Sequence, residues 1–190
     1  MIHLLVTVAL VLTAAASSTA QGVSISFSPE SEQFAEAARE YQSLWEAEGD
    51  RIIAALEHVS GLKFAEREIQ AVVYEGISRA GLRGAPMRMR ASYPAGTKKA
   101  TLIHELGHRH IMQLRWRPSE LDEHQVLFLF LYDVWERLYG QEFAEEQVAV
   151  EKKRKGVYDY EAAWAWALAQ SKEERAQRSK EIVGKNQGGG

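Results

Sequence analysis

Hydrophobic and polar positions divide this chain into several helices and a few strands. Phe34, Ala37, Ala38, Tyr41, Leu44 and Trp45 recur at the spacing of one helix face, so an amphipathic helix runs through them. Ser28-Pro29-Glu30 reads as its N-cap with proline in the first turn, Gly49-Asp50 as an interruption before Ile52, Ile53, Leu56 and Val59, and Ser60-Gly61 as its end. Residues 23–27 show a short polar-apolar alternation. Two strand candidates follow: a β-branched run at 69–74, and Met87-Arg88-Met89-Arg90-Ala91-Ser92 with period two. A glycine-rich connection through Gly76, Gly81 and Gly84 joins them. Tyr93-Pro94-Ala95-Gly96 reads as a turn, and Thr97 as the cap of the next helix.

Arg117-Pro118-Ser119-Glu120 predicts the start of another helix, ended by Gly140. Its residues 126–131 are apolar on all sides, which predicts a central position. Two further helical stretches are expected, at 142–155 and from 158 to 171 or beyond. The expected fold class is therefore α+β, mostly helical, with a small sheet beside the helix that follows Thr97. No internal repeat interrupts the pattern.

The first twenty residues stand apart. Residues 4–12 are almost wholly apolar and lead into Ala14-Ala15-Ala16-Ser17-Ser18-Thr19-Ala20, an apolar core with a small-residue cleavage site. Residues 1–20 are read as a signal peptide and 21–190 as a single domain. The apolar stretch falls short of the roughly 20 residues a spanning helix needs, so no stable membrane insertion is expected after cleavage. The absence of cysteine removes disulfides and thiolate metal sites. The only asparagine, Asn186, is not in a glycosylation acceptor, and the expected location is secreted or periplasmic, in a bacterial envelope. A net charge of -3 advertises no nucleic-acid partner, and the basic run Lys152-Lys153-Arg154-Lys155 reads as a solvated helix end.

Candidate chemistry concentrates in His104-Glu105-Leu106-Gly107-His108, an H-E-x-x-H pattern. On a helix it sets two imidazoles one turn apart on the same face, close enough to share one ion, with a carboxylate beside the first. Neutral imidazole binds zinc, and a catalytic zinc keeps a water whose pKa falls to about 7. Glu105 is then the base for that water. His110 and His124 fall in the same region.

This segment resembles the zincin metallopeptidases: His104 and His108 match their zinc-ligating histidines and Glu105 their catalytic glutamate. The resemblance implies a zinc-dependent hydrolase of peptide or protein substrates, with residues 87–92 as a substrate-binding edge strand ahead of the helix. Arg109 and His110 depart from the extended motif, and Ile111 and Leu114 stand where metzincins have glycine and histidine. The third ligand a catalytic zinc requires is sought in Glu120-Leu121-Asp122-Glu123-His124. His124, whose spacing to Phe128 is similar to the third-ligand segment of SprT-like zincins, is preferred; Glu123 would give a gluzincin-like set. Asp122 is a candidate to orient a ligand ring. Tyr158, Tyr160, Arg109 and His110 have the chemistry to stabilise an oxyanion, but their plainer readings are packing for the tyrosines and solvated helix positions for the other two. Trp164 and Trp166 are read as packing. Two other readings remain: a zinc hydrolase of a non-peptide amide such as a cell-wall crosslink, and a non-catalytic helical envelope protein with a structural metal site or packed histidines. Cleavage preference and oligomeric state have no signature in the chain.

Overall fold

A computed structural model describes residues 22–81, 84–154, 156 and 158–187. The expected leader and its cleavage point lie outside these residues. In chain order the elements are β1 (Ser24–Pro29), α1 (Ala35–Ser60), β2 (Glu68–Tyr74), β3 (Met87–Arg90), α2 (Ala95–Ile111), α3 (Glu123–Tyr139), α4 (Gln141–Lys152), α5 (Tyr160–Leu168) and α6 (Lys172–Gln187). The described chain is thus mostly helical with one small sheet, the expected α+β class. Among the described residues no helix is long and apolar enough to cross a membrane.

The sheet has the order β1-β2-β3 and is parallel throughout, with Ile25 opposite Ile69 and Ala71 opposite Met87. Ile25, Ile69, Ala71, Val73, Met87 and Met89 are buried, so one face of the pleat meets the helices. The alternation at 23–27 is therefore the start of a third strand rather than a lead-in to a helix. Pro29 closes that strand and is not a first helical residue. Proline is tolerated at a strand end on the sheet edge, where its missing N–H removes no ladder bond. A single 3-10 turn, Glu32–Phe34, then leads into α1.

Helix α1 is continuous through Gly49-Asp50 and ends at Gly61. The Trp45 indole lies over Gly49, 2.8 Å from where a side chain would begin, so this glycine makes room for a neighbour instead of breaking the helix. Helix α2 starts two residues before Thr97, which is buried within its first turn and does not cap it. Helix α3 also starts later than expected. Asp122 accepts from the Gln125 backbone at 2.9 Å, and the Gln125 side chain accepts from the Asp122 backbone at 3.0 Å. This capping box makes 123, and not 118, the first helical residue. The last expected stretch is two helices, α5 and α6. Within the basic run Arg154 turns inward, against the expectation of a solvated end, and donates to Thr101 Oγ1 at 3.2 Å.

Helix α3 is the central element: residues 126–131 are all buried, and it packs against α1, α2, α4, α5 and α6. Helix α2 crosses it where Gly107 meets Leu127. A side chain at Gly107 would come 2.4 Å from Leu127 Cδ1, so its absence sets how closely the two helices approach.

Arg109 and His110 are buried, contrary to their expected solvated positions. Arg109 forms a bidentate pair with Glu66 and donates to the Ala80 and Gly81 carbonyls. His110 stacks on Phe64 and meets Ser60 Oγ at 2.8 Å through Nε2. The Ser60 hydroxyl already donates to Leu56, so it accepts from His110 Nε2–H and leaves buried Nδ1 without a partner. A proton on Nδ1 would be buried with no acceptor, and burial pushes the His110 pKa down to about 4. The unfolded chain takes up that proton near pH 6.5 and the folded chain only near pH 4, so this stability is full above 6.5 and lost as pH falls through that window. The loss is on the order of 3 kcal/mol. Denaturant unfolding of the wild type and of His110→Gln between pH 7 and pH 4 checks this: the variant should lack that share of the acid loss, and identical slopes would refute it.

Candidate metal centre

The site is built on α2 and α3. One helical turn separates His104 and His108, and their Nε2 atoms lie 3.1 Å apart. His124, in the first turn of α3, is brought to the same point by the α2–α3 crossing, and the ligand atoms of the three rings all lie within 4.8 Å of one another. Bonds of about 2.0–2.1 Å to a tetrahedral ion would set its nitrogens roughly 3.3 Å apart, a spacing this cluster can reach with small ring rotations. Three close histidines can therefore hold a metal ion here.

Carboxylates behind the rings fix their orientation. His108 Nδ1 hydrogen-bonds Glu123 Oε1 at 2.7 Å, and this bond holds the Glu123 carboxyl below the usual carboxylate range against the effect of its burial. Glu123 thus stands behind His108, while His124 joins the cluster. His104 Nδ1 lies 2.8 Å from Glu151 Oε1, an ion-pair contact whose approach is oblique for a hydrogen bond. Burial alone would raise the Glu151 pKa, but His104, Arg154 and the Trp164 indole outweigh it and hold it at about 2. Trp164 Nε1 donates to Glu151 Oε2 at 2.9 Å while its ring stacks on Phe128 at 3.9 Å, so this tryptophan does more than pack.

A carboxylate has no proton to offer, so the Glu123 bond places the His108 ring proton on Nδ1 and leaves the neutral ring a lone pair at Nε2. The His104 Nε2 stands 3.1 Å from that lone pair, a separation that a shared cation can bridge. Carboxylate–histidine pairs of this kind fix tautomer and ring angle at metal sites. Burial, with the adjoining rings of His104 and His108, pushes the His124 pKa down to about 3, so this ring too is in the neutral form that binds metal.

Among the described residues Asp122 makes no hydrogen bond to an imidazole: it caps α3 and accepts from the Tyr158 hydroxyl at 2.9 Å. Tyr158 then stacks on His124 with ring centroids 4.1 Å apart, so Asp122 acts on that ring through the tyrosine. The Tyr160 hydroxyl is 3.2 Å from His124 Nε2. Burial raises the Tyr160 pKa above the ordinary tyrosine value, which keeps its hydroxyl protonated as a donor. Both tyrosines therefore belong to the site and are not packing alone. His110, by contrast, belongs to the α1–α2 packing.

A cavity of about 390 Å³ opens over the three histidines, lined also by Glu105, Glu123, Tyr160 and residues 78–81. Glu105 is buried in its floor and makes no hydrogen bond or ion pair among the described residues. The expected edge strand, 87–92, is not the wall of this cavity: Arg79 pairs with Arg88 through two backbone hydrogen bonds of 2.9 Å, so 78–81 stands between β3 and the histidines.

Glu151 was not among the residues the sequence singled out. A signal for it exists, since Glu151 continues the stripe Ala144, Gln147 and Val148, and a carboxylate on a buried stripe requires a partner. Compared with known proteins, the chain matches no family model, and no curated protein or solved structure matches it.

Two substitutions separate the roles of neighbouring residues. His124→Ala should abolish stoichiometric metal binding. Glu123→Ala should keep one metal ion per chain at roughly ten- to hundredfold weaker affinity, the usual cost of losing an orienting carboxylate. Chelator competition reads both, and the opposite pattern would exchange the two assignments.

Proposed function

We propose that this protein is an exported zinc-dependent hydrolase of peptide bonds, of the zincin kind. The observation that carries the reading is the convergence of the His104 and His108 Nε2 atoms to 3.1 Å, with His124 beside them and, in the same cavity, a Glu105 that makes no hydrogen bond or ion pair among the described residues.

His104, His108 and His124 would hold the ion through neutral imidazoles, with Glu123 bonded behind His108 and Glu151 in contact behind His104. Zinc, when bound, supplies a Lewis acid that lowers the pKa of water toward 7 and polarises a carbonyl. Glu105 takes the proton of the attacking water and delivers it to the leaving amine, for which a free carboxylate facing the cavity is suited. Tyr160 donates its hydroxyl proton toward the substrate carbonyl oxygen as negative charge grows there. Its 3.2 Å contact to His124 Nε2 places that hydroxyl at the histidine cluster.

Glu105→Gln should retain zinc and lose peptide hydrolysis, whereas His104→Ala should lose both; full turnover by Glu105→Gln would sink the mechanism. Tyr160→Phe keeps the ring packing and removes only the hydroxyl, so kcat should fall by about a hundredfold with KM little changed. An unaltered kcat would take Tyr160 out of the chemistry. Steady-state kinetics on a mixed peptide substrate, with metal content measured on the same samples, reads all three variants.

A further inference from the structure

Arg79 is the arginine that lines the cavity, and the arginines of β3 and α2 behind residues 78–81 are matched. Arg88 pairs with Glu30 and lies over the Tyr74 ring at 3.9 Å. Arg90 pairs with Glu75 at 2.6 Å, and Arg109 is clamped by Glu66. Arg79 differs from them. It is exposed, it lines the cavity, and its side chain makes no ion pair or hydrogen bond among the described residues. A residue that is both lining and exposed lies at the cavity mouth.

The backbone that presents Arg79 is held firmly. Its N–H and carbonyl both bond to Arg88 at 2.9 Å, and the next two carbonyls, of Ala80 and Gly81, accept from the buried Arg109 guanidinium. Arg109 follows His108 directly on α2, so the metal-site helix itself fixes the segment that carries Arg79. On the acidic side, Glu123 is matched to His108, and Glu105 makes no hydrogen bond or ion pair among the described residues. Among those residues the cavity therefore presents one carboxylate in its floor and one guanidinium at its mouth that are free of hydrogen bonds and ion pairs.

Resting on the peptide-hydrolase reading, we propose that Arg79 is a specificity-determining residue that selects substrates presenting a carboxylate beside the scissile bond. A guanidinium recognises a carboxylate through two parallel hydrogen bonds, which gives direction as well as charge. A carboxylate seated on Arg79 anchors one end of the chain at the mouth and leads the adjoining peptide bond toward Glu105. The carboxylate comes either from a free C-terminus or from an Asp or Glu side chain.

The test uses zinc-loaded Glu105→Gln protein, titrated calorimetrically with short alanine peptides. These contain one Glu, Gln or Lys, each made as the free acid and as the C-terminal amide. Peptides that offer a carboxylate should bind roughly tenfold more tightly than those that do not, and the advantage should shrink with added salt. Preference for the free acid over the amide identifies the terminus as the source; preference for Glu over Gln among the amides identifies a side chain. Adding Arg79→Ala should erase the preference, Arg79→Lys should retain part of it, and Arg79→Glu should turn it toward the Lys peptides, with zinc affinity unchanged in all three. A preference that survives in Arg79→Ala, or equal affinities throughout, overturns the role of Arg79 and leaves the hydrolase reading standing. No binding of any peptide with zinc in place overturns both.

Discussion

The rest of the structure is arranged around one constraint, the burial of a polar helix. Helix α2 is enclosed along almost its whole length although it carries Lys98, Thr101, His104, Glu105, His108, Arg109 and His110. A buried polar group without a partner costs several kcal/mol, and a buried charge costs more, so each of these side chains places a demand on whatever packs against it. The surrounding elements answer those demands. From α1 come Glu40 for Lys98 and Ser60 for His110. The segment before β2 supplies Glu66 for Arg109, α4 supplies Glu151 for His104, and α3 supplies Glu123 for His108. Thr101 receives Arg154 from just beyond α4.

What is left unmatched on α2 is its chemistry. Among the described residues Glu105 makes no hydrogen bond or ion pair, and the two Nε2 atoms meet each other. Buried ion pairs are poor evidence of stability, because desolvation offsets most of their attraction. Their value here lies in geometry. Glu123 bonded at His108 Nδ1 and Glu151 packed 2.8 Å from His104 Nδ1 leave the opposite nitrogens turned toward each other.

Much of this was legible in the sequence, and what was not has a physical reason. The periodic apolar stretch gave α1, the H-E-x-x-H run α2 and the all-apolar run 126–131 the central α3, because these patterns survive any detail of packing. His104, Glu105 and His108 were legible because their spacing is local to one helix, and His124 because its face was shared with Leu127 and Phe128. Helix starts were misplaced at Pro29, Thr97 and Pro118. Proline and capping residues serve turns and strand ends as readily as helix ends, and only tertiary pairing decides between them. Arg109, His110 and Arg154 look solvated by residue type, but their burial depends on carboxylates, carbonyls and hydroxyls 43, 50 and 53 positions away, beyond the reach of any local pattern. The wall of the cavity was misassigned for the same reason: nothing in residues 87–92 reveals that Arg79 has already taken the outer edge of β3.

The division of labour between Glu123 and His124 follows from helix geometry combined with a single glycine. Neighbouring residues on a helix point about 100° apart, so two adjacent side chains cannot approach an ion from the same side. The Asp122 capping box fixes where α3 begins, and Gly107 fixes how closely α2 meets it at Leu127. At that separation the first residue of α3 passes behind His108 and reaches Nδ1, while the second turns toward the cluster with Tyr158 stacked on one face and Tyr160 bonded at its Nε2. A larger residue at 107 would push the helices apart, and a cap shifted by one position would rotate α3. Either change would exchange or lose the two roles even with every candidate ligand still in the chain. The histidine cluster is therefore specified as much by residues outside it, Gly107, Leu127 and Asp122, as by the imidazoles themselves.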